Sequence, residues 1–180
     1  EDILSRSLGV ALPRDGYAKM FERMLRHPRI KILLNADYRE VRPHVKFKRM
    51  IFTGPVDEYF EHRFGRLPYR SLRFEREHVA QAFFQPAGQV NYPNDHDFTR
   101  IVEMKHHTGQ RLPETTIVFE YPQAMTPAAE PYYPVPAPDA QALYAKYAEL
   151  ADKEAGVSFV GRLATYRYYN MDQVVGMALA

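Results

Sequence analysis

The sequence predicts a mixed α+β and α/β protein, with an antiparallel sheet in the middle of the chain and α/β pieces at both ends. Four segments between Tyr69 and Tyr121 alternate with period two and are rich in β-branched or aromatic residues. The loops between them are dense in Pro, Gly, Asn and Asp, and short connections between consecutive strands favour antiparallel pairing. Outside that region the spacing turns helical, and short apolar runs stand beside glycine and proline.

Pro13, Asp15 and Gly16 form a turn able to cap a helix. Tyr17, Met20, Phe21, Met24 and Leu25 then recur at helical spacing to Arg26, and Pro28 stops the helix. Lys31 to Asn35 reads as a short strand, and Arg49 to Thr53 as a second that is apolar on both faces and therefore buried. Gly54-Pro55 breaks it, and Asp57 to Arg63 follows as a short helix with acidic residues in its first turn. The period-two segments are Tyr69–Glu75, Gly88–Tyr92, Phe98–His106 and Thr115–Tyr121. Met125 to Asp139 is a proline-dense loop. Asp139 can cap a helix to about Glu154, which Gly156 ends. Val157 to Val160 is a buried strand, and a last helix starts near Asn170.

With 180 residues and 46% apolar content, the chain can bury a core in one or two domains. A net charge of +2 argues against polyanion binding, so nucleic acid is not an expected partner. The absence of cysteine excludes disulfides, a thiolate nucleophile and cysteine metal sites. No apolar run approaches the roughly 18 residues needed to span a bilayer, and no signal peptide opens the sequence, so a cytoplasmic protein is the expectation. The first residue is Glu1 rather than Met, which reads as a fragment or trimmed chain.

None of the glycines forms GxGxxG or GxxxxGK[ST], and neither a GxSxG elbow nor HExxH is present. His106 and His107 are adjacent and on a strand would face opposite ways, so no metal site is expected. Four clusters remain: Tyr69-Arg70-Ser71, Phe98-Thr99-Arg100, Tyr132-Tyr133 between two prolines, and Gly161-Arg162 with Tyr168-Tyr169-Asn170-Met171 after it. Arginine forks, phenolic hydroxyls and a helix start suit a diphosphate. Arg70 and Arg100 could equally pair with Glu75 or Glu103, and the two tyrosines could simply pack over the sheet. Arg162, at the end of a buried strand before a helix, stands where α/β folds place ligand contacts.

The run Ile51-Phe52-Thr53-Gly54-Pro55-Val56-Asp57-Glu58-Tyr59-Phe60, continuing through Arg63-Phe64-Gly65 to Leu67-Pro68-Tyr69-Arg70-Ser71-Leu72, resembles a hallmark stretch of bacterial UDP-galactopyranose mutases. So do Phe98-Thr99-Arg100-Ile101 with Lys105-His106, Glu120-Tyr121-Pro122, Glu130-Pro131-Tyr132-Tyr133-Pro134-Val135, and Gly161-Arg162-Leu163 with Tyr166, Tyr168, Tyr169 and Met171-Asp172-Gln173. They occur in the family's order from about Pro13 onward. The resemblance implies a cytoplasmic isomerase that interconverts UDP-galactopyranose and UDP-galactofuranose for surface polysaccharide. It uses reduced FAD, whose N5 is the nucleophile, so no side chain is assigned as catalytic.

By position, Arg100, Tyr133 and Tyr168 match diphosphate contacts, Asn91 a substrate-contacting asparagine, and Arg70 an arginine near the active site. Arg162, Tyr169, Asn170, Met171 and Gln173 match the flavin-binding segment. The implied division is residues 1–66 in a discontinuous FAD-binding domain, 67–124 as the substrate-domain sheet, and 125–180 completing the FAD-binding domain. Members are commonly dimeric, so a homodimer is one form available.

Asn170 stands where the family usually has Asp, and Gly9-Val10-Ala11 replaces a Tyr-Gln-Gly that would supply one more phenol. The family's N-terminal flavin motif, histidine loop and substrate lid are not in this sequence, so the full FAD site is not expected here and these residues alone are expected to be inactive. Two rivals follow: a degenerate mutase-like protein that binds a nucleotide sugar without turnover, and a related flavoprotein such as an amine or porphyrinogen oxidase.

Overall fold

A computed structural model of the chain describes residue 13, residues 15–126 and residues 128–179. The Gly9-Val10-Ala11 departure lies outside the described residues. In chain order the elements are helix α1 (Gly16–Met24), helix α2 (Tyr38–Val41), strand β1 (Met50–Phe52), helix α3 (Val56–Tyr59), strands β2 (Tyr69–Val79), β3 (Gln89–Asn91) and β4 (Arg100–Glu103), and helix α4 (Lys105–Thr108). Strands β5 (Thr115–Ala124) and β6 (Tyr133–Pro134), helix α5 (Pro138–Ala151), strand β7 (Val157–Phe159) and helix α6 (Met171–Leu179) complete it. A five-stranded sheet runs β3-β4-β5-β2-β6, and β1 and β7 form a separate parallel pair. The pairings β3/β4, β4/β5 and β2/β6 are antiparallel. The expected antiparallel sheet with helices is therefore present. No helix among the described residues is long and apolar enough to cross a membrane.

The chain divides into two compact units. One holds the residues up to Glu40 with Phe74–Glu120, the other Val41–Arg73 with Tyr121 onward.

In the first unit, a buried polar cluster fixes the loop before β3. Glu103 is wholly buried and its carboxylate accepts the N–H groups of Phe84 at 3.0 Å and Gln85 at 3.0 Å. Buried Lys105 donates to the carbonyls of Ala82, Leu112 and Glu114. These bonds explain a correction. The strand expected over Phe98–His106 stops at Glu103, because Lys105 turns inward to collect three carbonyls and starts α4, which Gly109 ends with φ +68°. His106 and His107 thus sit on a helix. His106 bonds the Gln85 carbonyl at 2.9 Å, and a Cβ on Gly88 would lie 2.3 Å from the His107 ring, so a larger residue there would have to displace that exposed ring.

Other expectations also shift. Lys31–Asn35 forms no strand: it pairs with none among the described residues, Asn35 turns left-handed at φ 53°, and Ile32, Leu33 and Leu34 are exposed. Strand β1 is covered on one side only, since Ile51 is 71% exposed. Helix α5 opens with Pro138 rather than with an Asp139 cap, because proline's fixed φ suits the first helical position.

In the second unit the core joins Val56, Leu67, Tyr69, Ala140, Tyr147 and Tyr166. Burying Val56 and Leu67 stabilises by about 1.5–3 kcal/mol each. Tyr147 adds polar service: its hydroxyl donates to the Gly65 carbonyl at 2.7 Å and accepts the Phe64 N–H at 2.9 Å. Helix α3 is shorter than the expected Asp57–Arg63. Glu61 and His62 turn left-handed, with φ of 53° and 54°. Buried Asp57 holds that turn, its Oδ2 accepting the Leu67 N–H at 3.0 Å and lying 3.2 Å from His62 Nδ1.

Asp57→Ala leaves a buried N–H without an acceptor and should lower unfolding free energy by about 3 kcal/mol, with Asp57→Asn recovering part of it. Urea denaturation reads this, and an Ala variant as stable as wild type contradicts it. Glu103 gives a pH signature. Burial raises its carboxyl, but the Phe84 and Gln85 N–H groups and His106 outweigh that and hold it below its usual 4.5. Its stabilisation is complete above pH 4.5 and disappears as pH falls through the lower folded value. Melting from pH 7 downward should show wild type losing stability over that acid window more steeply than Glu103→Gln. Parallel curves would refute the assignment.

Candidate functional site

The site in the second unit is built from three pieces of backbone. Strands β2 and β6 pair with Arg70 opposite Tyr133, and directly opposed residues share a face of the sheet. Tyr132 N–H donates to the Arg70 carbonyl at 3.0 Å, extending that pairing. The third piece is the turn 161–168 after β7.

That turn starts at Gly161, buried with φ +93°, a value open to glycine at little cost. It contains Tyr166 at φ +46°, which costs a non-glycine residue about 1–2 kcal/mol. Tyr166 is only 2% exposed, and its hydroxyl donates to the Pro68 carbonyl at 2.5 Å and accepts the Val135 N–H at 3.2 Å. Its ring meets Tyr69 edge-on at 5.3 Å and stacks on Tyr144 at 5.7 Å. One side chain therefore ties the start of β2, the end of β6 and the turn together.

Arg162 braces the same place. Its guanidinium donates to the Tyr132 carbonyl at 3.1 Å and the Tyr169 carbonyl at 2.8 Å. It also lies over the rings of Tyr133 at 5.1 Å and Tyr168 at 4.7 Å. Those two rings stack with centroids 6.0 Å apart. A planar fork over aromatic faces does this where a lysine cannot.

Beside this brace opens a cleft of about 670 Å³, lined by Arg70, Tyr133, Gln141, Tyr144, Thr165, Tyr166, Arg167 and Tyr168 with Pro134 and Pro136. Two arginines line it and no carboxylate does. The Tyr144 and Tyr166 hydroxyls are neutral at physiological pH, and burial pushes both further up from the usual tyrosine value, so they bring no negative charge. The cleft can receive an anion.

Arg70, Tyr133, Tyr168 and Arg162 are thus gathered in one unit, and the flavin-segment candidates Tyr169, Asn170, Met171 and Gln173 follow in sequence. Asn170 precedes α6, and its N–H is accepted by Gln173 Oε1 at 2.8 Å, half of a capping box. Asn91 and Arg100 belong to the other unit. There Arg100 donates to Asn91 Oδ1 at 3.0 Å and to Glu120 at 3.1 Å, its neighbours in the strand register. Its carboxylate partner is therefore Glu120 and not Glu103. Sequence reasoning missed Gln141, Tyr144, Thr165 and Arg167. The Gln141–Tyr144 helical spacing was readable, but nothing in it marked the cleft side. No cluster of His, Asp or Glu among the described residues is arranged to hold a metal ion.

Replacing Arg162 by Lys keeps the charge but loses the two-carbonyl fork. Stability should fall by about 1–2 kcal/mol in urea denaturation. An unchanged midpoint would mean the brace carries no weight.

A family model described as UDP-galactopyranose mutase matches residues 9–168. A probable UDP-galactopyranose mutase of Klebsiella pneumoniae is 36% identical over 93% of this chain and 44% of its own length. The UDP-galactopyranose mutase of Mycoplasma pneumoniae is 34% identical over 94% of this chain and 46% of its own. A dTDP-fucopyranose mutase of Escherichia coli is 31% identical over 93% of this chain and 46% of its own. A crystal structure of reduced UDP-galactopyranose mutase superposes with a TM-score of 0.54 at 16% identity, covering 69% of this chain and 38% of that one, a likeness of fold. The chain spans about half the length of the curated relatives it matches. By the span of the family match and these identities, the chain belongs to the UDP-galactopyranose mutase family.

Proposed function

We propose that the protein acts on a nucleoside-diphosphate sugar, interconverting UDP-galactopyranose and UDP-galactofuranose with reduced FAD. The observation that carries this is a cleft with two arginines, paired tyrosines and no carboxylate, in a chain of this family. The named relatives differ in base and sugar, dTDP-fucopyranose against UDP-galactopyranose, and share the diphosphate and the mutase chemistry. The cleft's chemistry fits that shared part. Arg70, Tyr133 and Tyr168 are the proposed substrate contacts, with charge-assisted hydrogen bonds stabilising a departing diphosphate. For the other unit the resemblance alone proposes Asn91 and Arg100.

The start of α6 fits one edge of a flavin ring. The N–H groups of its first turn have no partner within the helix and carry partial positive charge. Asp172 in that turn disfavours a phosphate there, whereas an uncharged ring carbonyl meets no such repulsion. Asn170, Met171 and Gln173 would hold that edge, with Arg162 and Tyr169 fixing the approach to the helix. When bound, a reduced flavin supplies an electron-rich ring nitrogen able to take the sugar from its diphosphate.

A second reading is favoured by Asn170, where a carboxylate is usual in the family: nucleotide-sugar binding without turnover. Asn170→Asp separates the two. In the intact protein, conversion of UDP-galactofuranose in the presence of FAD and dithionite, followed by chromatography, would appear only in the variant if catalysis has decayed.

Titration with UDP should give saturable binding, weakened about three- to tenfold by Tyr133→Phe and by Tyr168→Phe, the worth of one hydrogen bond each. Absence of UDP binding by the wild-type protein would sink the proposal.

A further inference from the structure

We infer that Arg70 and Arg167 work as a pair that selects a diphosphate over a monophosphate, Arg167 being the contact to which the resemblance gives no role. The inference rests on the reading of the cleft as a nucleotide-sugar site.

The arginines of this unit differ in what already holds them. Arg162 is bound to two carbonyls and two rings. Arg73 lies 4.0 Å from the Tyr121 ring centroid. Arg70 and Arg167 are exposed and both line the cleft. Among the described residues neither guanidinium has a hydrogen bond or ion pair to a protein group; Arg167 only rests over the Tyr169 ring at 5.7 Å. A guanidinium with its donors open, in a cleft without carboxylates, is ready for an external anion.

Backbone geometry brings Arg167 there. Thr165, Tyr166, Arg167 and Tyr168 are consecutive, yet all four line the cleft. An extended segment would turn every second side chain away. The left-handed backbone of Tyr166 breaks that alternation, and the Arg167 N–H is held by the Arg162 carbonyl at 3.1 Å. Arg70 arrives independently on β2, opposite Tyr133. Two cationic forks thus come to one cleft from two different segments. A monophosphate presents one anionic group and engages one fork at a time, whereas a diphosphate presents two in series and engages both.

The test is equilibrium titration of UDP and UMP against wild type, Arg167→Gln, Arg167→Lys and Arg70→Gln, with thermal midpoints as the folding control. Wild type should bind UDP at least about tenfold tighter than UMP. Arg167→Gln and Arg70→Gln should each weaken UDP by about tenfold and UMP by less than about threefold, at unchanged midpoints, with Arg167→Lys recovering part of the UDP affinity. If Arg167→Gln leaves UDP affinity unchanged, or weakens both nucleotides equally, the pair is refuted while the site reading stands. If wild type binds neither nucleotide, the site reading itself fails.

Discussion

The hydroxyl of Tyr166 is the contact on which the cleft depends. It joins Pro68, just before β2, to Val135, just after β6, from a residue on the 161–168 turn. Each of those segments carries a cleft residue two positions away: Arg70, Tyr133, Tyr168. A buried phenol with a carbonyl and an N–H as partners is hard to replace, since removing the oxygen orphans both. The same residue holds a left-handed backbone, and the surrounding contacts make that strain affordable. Packing, hydrogen bonding and strain therefore converge on one side chain, and the position of the cleft walls follows from it.

Arginine and lysine here illustrate how context divides one charge type into different jobs. Lys105 is buried against three carbonyls and acts as a structural rivet for its loop. Arg100 is held between Asn91 and Glu120 across the strands. Arg162 orients two tyrosines through its plane and its fork. The satisfaction of the donors, more than the charge itself, separates residues that shape the protein from residues open to a ligand.

Much of this was legible in the sequence where the signal is local. Period-two alternation located the sheet, and Gly161-Arg162 with the tyrosines after it pointed to the turn that lines the candidate cleft. What sequence could not show was pairing. Phe98–His106 reads as one strand until the Lys105 ammonium finds carbonyls from residues 82, 112 and 114, which no local window contains. Lys31–Asn35 has strand composition, yet a strand exists only with a neighbour, and none pairs with it among the described residues. Arg167 escaped notice because its exposure to the cleft follows from the φ of the residue before it, and a positive φ at tyrosine leaves no trace in composition.

Asn170 shows how structure changes the weight of a sequence departure. Read as a sequence, replacing a carboxylate by an amide looks like a functional loss. In the fold, Asn170 stands at the position before the first turn of α6, where asparagine is among the preferred residues. Gln173 Oε1 accepts its N–H, so the helix start is organised without a negative charge at that residue. Asp172 still places one carboxylate in the first turn, where the helix dipole favours it. The substitution is thus structurally well tolerated, and any price it exacts must fall on a bound group rather than on the helix. A departure that leaves the scaffold intact bears on chemistry alone, which is why restoring the carboxylate can separate a working enzyme from a binding relative.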